Sequence, residues 1–228
     1  MGLDINTVLL AVTAIGVAIA SPFLTIIVRN WYLSPKLDFE FNFGPGSRDS
    51  HQTKMRHRKT DKEHPVYYFL FEVANTGKSA AIDCEVILEK IWQADDAGNK
   101  QEWKNFLPVN LRWSEGGCTN ACSKMILSKG RRLCNMGLIK PRGHQIEDSI
   151  YRNISPQQKE MNKFFFDQYG PKFFYQWDCL LPGKYEIQVS VYSRNAPKAA
   201  RKFSIDWSGD WYNEEKEMFS KGIKISML

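Results

Sequence analysis

The longest apolar stretch of the chain covers residues 7–28 and contains no Asp, Glu, Lys, Arg or His. At about 1.5 Å per residue, a helix of this length crosses the ~30 Å hydrocarbon core of a bilayer. The pattern therefore predicts an N-terminal transmembrane anchor over residues 1–34 and a single domain over residues 35–228. In the two alternatives, the stretch is a cleaved signal peptide or a buried core helix. The first lacks a basic leader and the second lacks a polar face.

Small side chains recur at heptad spacing along one side of the predicted helix. They are Ala11, Ala14, Ala18, Ser21 and Thr25. Because small faces allow helices to approach closely in lipid, the spacing predicts helix packing through this face and a homo-oligomer. The alternative is that small residues are simply common in transmembrane helices.

Charges and cysteines both indicate where the domain lies. No Lys or Arg precedes the apolar stretch, whereas Arg29 and Lys36 follow it closely. Basic residues beside a span stay in the cytoplasm more often than outside. The chain has five cysteines, and an odd number does not suggest a disulfide framework. We therefore expect a cell-membrane protein whose C-terminal domain is cytoplasmic.

Beyond the anchor, apolar and polar residues alternate with period two in several short runs, which is the strand pattern. The runs cover residues 37–43, 66–74, 81–92, 183–192 and 201–207, and a hairpin is predicted around Lys129-Gly130. Turn residues separate the runs, and no alternation of strands with helices is present. The fold class is therefore predicted to be mainly β, an antiparallel β-sandwich.

Two segments interrupt this pattern. Residues 47–64 are polar and basic, which predicts a long loop. Residues 141–182 are rich in aromatic side chains and predict a partly irregular or helical insertion, with a short helix over residues 157–166.

The basic loop is the candidate contact for an anionic partner, through Arg56, His57, Arg58 and Lys59. A first strand running away from the bilayer carries the chain ~23 Å from it, which favours an acidic protein or nucleic acid over lipid. Of these two partners, a protein is the one we expect. The simpler interpretation is a solvated run of charge, since no aromatic side chains interleave with the charges.

One stretch carries a resemblance. Residues 71–86 have Val73, Asn75, Gly77 and Ala81 at spacings typical of bacterial immunoglobulin-like modules of the CARDB or filamin-like kind. The run Pro182-Gly183-Lys184-Tyr185 resembles the entry to a late strand of the same modules. The resemblance implies an immunoglobulin-like sandwich that acts in recognition or scaffolding, and it implies no catalytic activity.

Candidate chemistry is sparse. Cys118, Cys122, Cys134 and His144 have a spacing that a structural zinc could use, although isolated cysteines are usually small core residues. The sequence has no Walker A, G-x-S-x-G or H-E-x-x-H motif, so neither an enzyme nor a cofactor is predicted.

The expected function is that of a non-enzymatic single-pass membrane protein whose domain binds another protein. In one alternative, residues 141–182 build the pocket of a ligand sensor or enzyme. In the other, the topology is reversed and the domain is an extracytoplasmic adhesion or sugar-binding module.

Overall fold

The computed structural model describes residues 13–14, 17–18, 21–27, 32–56, 63–114, 123–141, 161–168 and 179–228. Nearly all regular structure in the C-terminal domain is β-strand. The strands of the described chain are β1 (Leu37–Glu40), β2 (Ser50–Arg56), β3 (Glu63–Asn75), β4 (Ala81–Ala94), β5 (Lys100–Glu102), β6 (Val109–Asn110), β7 (Lys124–Ile126), β8 (Arg131–Ile139), β9 (Phe164–Phe166), β10 (Cys179–Leu180), β11 (Gly183–Tyr192), β12 (Ala199–Trp207) and β13 (Ile223–Met227). A helical turn, α1 (Glu215–Glu217), continues into a π-helical turn, Met218–Gly222.

The described strands form two antiparallel sheets. Sheet one has the order β1-β3-β8-β9-β10, with β2 also paired to β3. Sheet two has the order β13-β12-β11-β4-β5, with β6 and β7 also paired to β4. Because β3 and β4 follow each other but belong to different sheets, the turn between them is the corner of a sandwich-like fold.

The core lies between the inner faces of these sheets. Phe39 and Phe71 of sheet one contact Phe203 of sheet two, with ring centroids 6.4 and 5.6 Å from it. The inward residues of β11 are those that the period-two pattern placed on one face, namely Tyr185, Ile187, Val189 and Val191. The prediction of a mainly β fold with antiparallel sheets is confirmed.

The strongest strand predictions are confirmed with longer bounds. The runs over residues 66–74 and 81–92 lie within β3 and β4. The turn predicted around Lys129-Gly130 joins β7 to β8, but the predicted hairpin is wrong, because β7 pairs with β4 in sheet two and β8 pairs with β3 in sheet one. Lys129 takes a positive φ of 58°, which the tight turn requires. The strand predicted over residues 37–43 ends earlier, at Glu40, since the Asn42 N–H donates to Asp49 Oδ2 at 2.8 Å instead of to a neighbouring strand.

The prediction of a loop over residues 47–64 is wrong for residues 50–56 and 63–64, and residues 57–62 lie outside the described part of the chain. Residues 50–56 form β2, which pairs with β3 from Ser50 opposite Phe69 to Arg56 opposite Glu63. The polar residues gave no strand signal because β2 lies at a sheet edge, where charged side chains face solvent.

The predicted insertion over residues 141–182 also contributes to sheet one. Residues 164–166 form a strand where the sequence predicted a helix, and Phe164 lies opposite Ile139 and Leu180. All three phenylalanines of β9 are buried, so they show no alternation that would separate a strand from a helix. Residues 142–160 and 169–178 lie outside the described residues.

Parts of the N-terminal stretch are described and are helical, including residues 21–27. Their large side chains are exposed, with Phe23 at 65%, Leu24 at 64% and Ile27 at 63%. Within the described residues, no helix has both the length and the apolar character needed to cross a membrane. More than half of the predicted anchor lies outside the described part of the chain, namely residues 1–12, 15–16, 19–20 and 28–31.

Candidate functional site

The chain enters the sandwich at one end, and Asn75 organises that entry. The Asn75 side chain is buried and accepts hydrogen bonds at Oδ1 from the N–H of Lys36 at 3.1 Å and of Gly77 at 3.0 Å. Its Nδ2 donates to the carbonyl oxygens of Ser79 at 2.8 Å and Ile126 at 3.0 Å. One amide therefore joins the incoming chain, the β3–β4 turn and the end of β7.

Gly77 allows the incoming chain to lie directly on the β3–β4 turn. A Cβ at this position would lie 2.4 Å from Ser34 O and 2.5 Å from Lys36 N, both backbone atoms. The Thr76 N–H donates to Lys36 O at 2.8 Å across the same contact. The Asn75-x-Gly77 spacing noted in the sequence thus has a physical reason here, which is close backbone approach.

Around this contact lies a cavity of 310 Å³, which we call the tether junction. Its lining residues are Tyr32, Ser34, Lys36, Thr76, Gly77 and Lys78. The Lys78 ammonium lies 3.1 Å from the centre of the Tyr32 ring. The hydrogen bond to Lys78 and its positive charge lower the pKa of Tyr32. The junction therefore places positive charge where the chain enters the domain.

The residues that flank the end of the basic loop, Arg56 and Glu63, lie at the opposite end of β3. Asn75 pairs with Leu37 at one end of this strand, and Glu63 pairs with Arg56 at the other. At about 3.3 Å per residue, the 13 residues of β3 span roughly 40 Å. Of the predicted anionic-contact set, Arg56 lies at the end of β2, while His57, Arg58 and Lys59 lie outside the described residues.

A polar network on the outer face of sheet two involves Glu89. The register of β4 against β11 places Lys90 opposite Gln188 and Leu88 opposite Val189, so Glu89 is the extra residue of a β-bulge. Its carboxylate accepts hydrogen bonds from four side chains, those of Gln188, Ser190, Tyr192 and Lys198.

These hydrogen bonds set the charge state of Glu89. Burial by itself raises the pKa of this carboxyl, but the four donors, led by Lys198, outweigh burial and hold the pKa at about 2. A carboxylate that stays ionised and fully hydrogen-bonded at neutral pH is a poor proton carrier. The geometry therefore fits a structural role that fastens β4 to β11 and β12.

The predicted zinc set is not brought together by the described residues. Cys134 lies in the core of sheet one, and its Sγ contacts Arg112 O at 3.5 Å. Burial raises the pKa of the Cys134 thiol well above its usual value, which disfavours the thiolate that a metal needs. Cys118, Cys122 and His144 lie outside the described part of the chain. In the part that is described, no group of three His, Cys, Asp or Glu side chains could hold a metal ion.

The predicted helix-packing face is described in part. Ala14, Ala18, Ser21 and Thr25 are helical and exposed, and Thr25 Oγ1 donates to Ser21 O at 2.8 Å. Ala11 lies outside the described residues.

Sequence reasoning missed a pair of buried lysines. Lys140 directly follows β8 and Lys163 directly precedes β9, and the pairing of Ile139 with Phe164 places the two lysines side by side. Their exposed fractions are 6% and 1%. Lysine is rarely buried this deeply, so their location marks the insertion end of sheet one as a second polar site. No local sequence signal indicated that the chain buries both.

A comparison of the sequence with known protein families and with curated proteins found no match.

Proposed function

We propose that the chain is a single-pass membrane protein that holds a non-enzymatic, immunoglobulin-like sandwich in the cytoplasm for protein–protein recognition. The observation that carries this proposal is the arrangement along β3. The N-terminal stretch enters at the Asn75 end, and the basic β2–β3 hairpin lies at the Glu63 end. A module built in this way presents its charged hairpin roughly 40 Å away from its own anchor.

The anchor is supported by the apolar stretch over residues 7–28 and by exposed apolar side chains on residues 21–27. Phenylalanine, leucine and isoleucine on an exposed helix are unfavourable in water and favourable in hydrocarbon. The cytoplasmic orientation is supported by Arg29 and Lys36 after the stretch. Reduced thiols agree with it, since Cys84, Cys134 and Cys179 are buried and form no disulfide within the described chain.

The partner surface is the edge strand β2 with the connection that follows it. Gln52 and Lys54 lie on this edge, and an extended strand with basic side chains fits an acidic partner segment. Glu215 of α1 already accepts a hydrogen bond from the Gln52 N–H at 2.7 Å. The first part of the edge is thus covered by the chain itself, which leaves the part from Lys54 to Arg56 for a partner.

The test places a photo-crosslinking side chain at Lys54 in the full-length protein within its native membranes. A matched probe at Thr76, which is exposed at the opposite end of β3, serves as the control. We expect an acidic protein to be captured from Lys54 and not from Thr76, and its capture to weaken at high salt. Equal capture from both positions, or capture that salt does not affect, would refute recognition through this hairpin.

A further inference from the structure

The end of the sandwich that carries the tether junction has an unusual surface. Met125 of β7 and Leu127 of the β7–β8 turn are exposed at 51% and 63%, although both flank the fully buried Ile126. Isolated exposed apolar residues are common, but these two lie only two positions apart beside one turn. They lie at the end of the domain where the chain enters from the apolar N-terminal stretch.

Contacts with the tether junction fix the position of the β7–β8 turn. Ser128 Oγ donates to Gly77 O at 2.7 Å, and the Asn75 N–H donates to Gly130 O at 2.9 Å. Asn75 Nδ2 also donates to Ile126 O at 3.0 Å. We call β7, this turn and the adjoining tether junction the tether face.

Four lysines belong to the same end of the domain as the apolar pair. Lys36 and Lys78 line the tether junction, and Lys124 and Lys129 lie in β7 and in the turn that follows it. Two acidic residues of this end are paired elsewhere, Asp38 with Arg201 at 2.7 Å and Asp83 with Arg194 at 3.4 Å. Within the described chain, the tether face therefore carries four lysines that form no ion pair, together with exposed apolar side chains.

Aromatic and apolar residues of the incoming chain extend this surface. Tyr32 is 57% exposed and Leu33 is 41% exposed, directly before the junction. Tyrosine is enriched where a helix leaves the hydrocarbon region, and lysines beside a span contact lipid headgroups. Every component of the tether face is thus one that an anionic bilayer surface attracts.

We propose that the tether face docks on the anionic surface of the membrane that holds the chain. Met125 and Leu127 enter the headgroup region, and the four lysines contact lipid phosphates. Docking fixes the long axis of β3 away from the bilayer and holds the basic hairpin at a set distance from it. This inference rests on the proposed membrane anchor, because a chain without one would not be held at the surface.

The experiment uses the full-length protein in lipid nanodiscs, with an environment-sensitive fluorophore on Met125→Cys. Cys118 and Cys122 are replaced by Ser, and the other three cysteines, Cys84, Cys134 and Cys179, are buried. Discs contain either phosphatidylcholine alone or about one third phosphatidylglycerol. In anionic discs we expect a blue-shifted emission that spin labels on the lipid headgroups quench. In neutral discs both the blue shift and the quenching should be much smaller.

Charge reversal tests the lysines. Since each basic residue near an anionic surface contributes a factor of about five in binding, the double variant Lys78→Glu/Lys129→Glu should lower the docked-to-undocked ratio by more than tenfold. The matched control is Lys216→Glu/Lys224→Glu, which changes net charge equally at exposed sites near the other end of the domain. The control should leave the probe signal unchanged.

The outcomes separate the two proposals. If the full chain does not incorporate into discs, the anchor and the docking are both wrong. If it incorporates but the probe at residue 125 is the same in neutral and anionic discs, the docking alone is refuted. A signal that follows the number of chains per disc and not the lipid charge assigns the tether face to a second copy, which also refutes lipid docking.

Discussion

Replacing Gly77 by Ala tests the close approach at the tether junction. The added Cβ would lie 2.4 Å from Ser34 O, 2.5 Å from Lys36 N and 2.6 Å from Pro35 Cα. All three are backbone atoms, so no side-chain rotation relieves the contact. The incoming chain must move by about 1 Å to reach an ordinary separation of roughly 3.4 Å.

The expected loss of stability follows from this displacement. A shift of that size breaks two hydrogen bonds that are 3.1 Å (Lys36 N to Asn75 Oδ1) and 2.8 Å (Thr76 N to Lys36 O) long. Each contributes about 1 kcal/mol, and overpacking adds about 1–3 kcal/mol. The reduced entropy of the unfolded chain returns about 0.4–1 kcal/mol. The free energy of unfolding should therefore fall by about 2–5 kcal/mol.

Urea denaturation of the full chain in mild detergent, followed by tryptophan fluorescence, measures this change. Ser79→Ala in the same turn is the matched control, because it adds no atom and leaves the Ser79 carbonyl that accepts from Asn75. We expect the control to change stability by less than about 0.5 kcal/mol. A Gly77→Ala protein as stable as the control would refute the argument that this glycine exists for backbone approach.

Three further predictions concern other parts of the chain. Glu89→Gln should lower the free energy of unfolding by about 2–3 kcal/mol at pH 7. Because the pKa of Glu89 in the folded protein is about 2, below the ordinary 4.5, the difference between wild type and variant should disappear as the pH falls from about 4.5 toward 2. Equal urea midpoints of the two proteins at pH 7 would contradict this. Replacing Ala14 and Ala18 by Leu should dissociate any oligomer seen by analytical ultracentrifugation in detergent, and an unchanged mass would place the contact elsewhere. An Asp96→Cys reporter, exposed in a turn, should react with a membrane-impermeant thiol reagent only after cells are broken if the domain is cytoplasmic. Reaction in intact cells would reverse the topology and favour the adhesion-like function.

The sequence predicted strands wherever side chains alternate between core and solvent. In β11 the alternation from Tyr185 to Val191 is complete, and the structure buries those residues as expected. In β4 the alternation fails at Glu89, because the bulge there shifts the register by one residue. Strict alternation after Leu88 would turn Lys90 toward the core, whereas the structure buries Ile91. A bulge arises from pairing with a partner strand, so a single strand's sequence carries little trace of it.

The candidate site could be inferred only in outline. The Asn75-x-Gly77 spacing marked a turn, but its function as the contact for residues 34–36 depends on a chain segment about 40 positions earlier. Similarly, the exposure of Met125 and Leu127 is invisible in a run that reads as an ordinary strand.

By itself, the sequence determined the apolar N-terminal stretch, the main strands and their turns, because these depend on local periodicity and on backbone preferences of neighbouring residues. Only the tertiary structure decided that the polar residues 50–56 form an edge strand and that three consecutive phenylalanines form β9, since both gain their hydrogen bonds from partner strands distant in sequence. It also decided which charges meet. Asp38 pairs with Arg201 and Asp83 with Arg194, and among the described residues the four lysines of the tether face form no ion pair. Such pairings depend on distances between separate strands, which linear spacing does not encode.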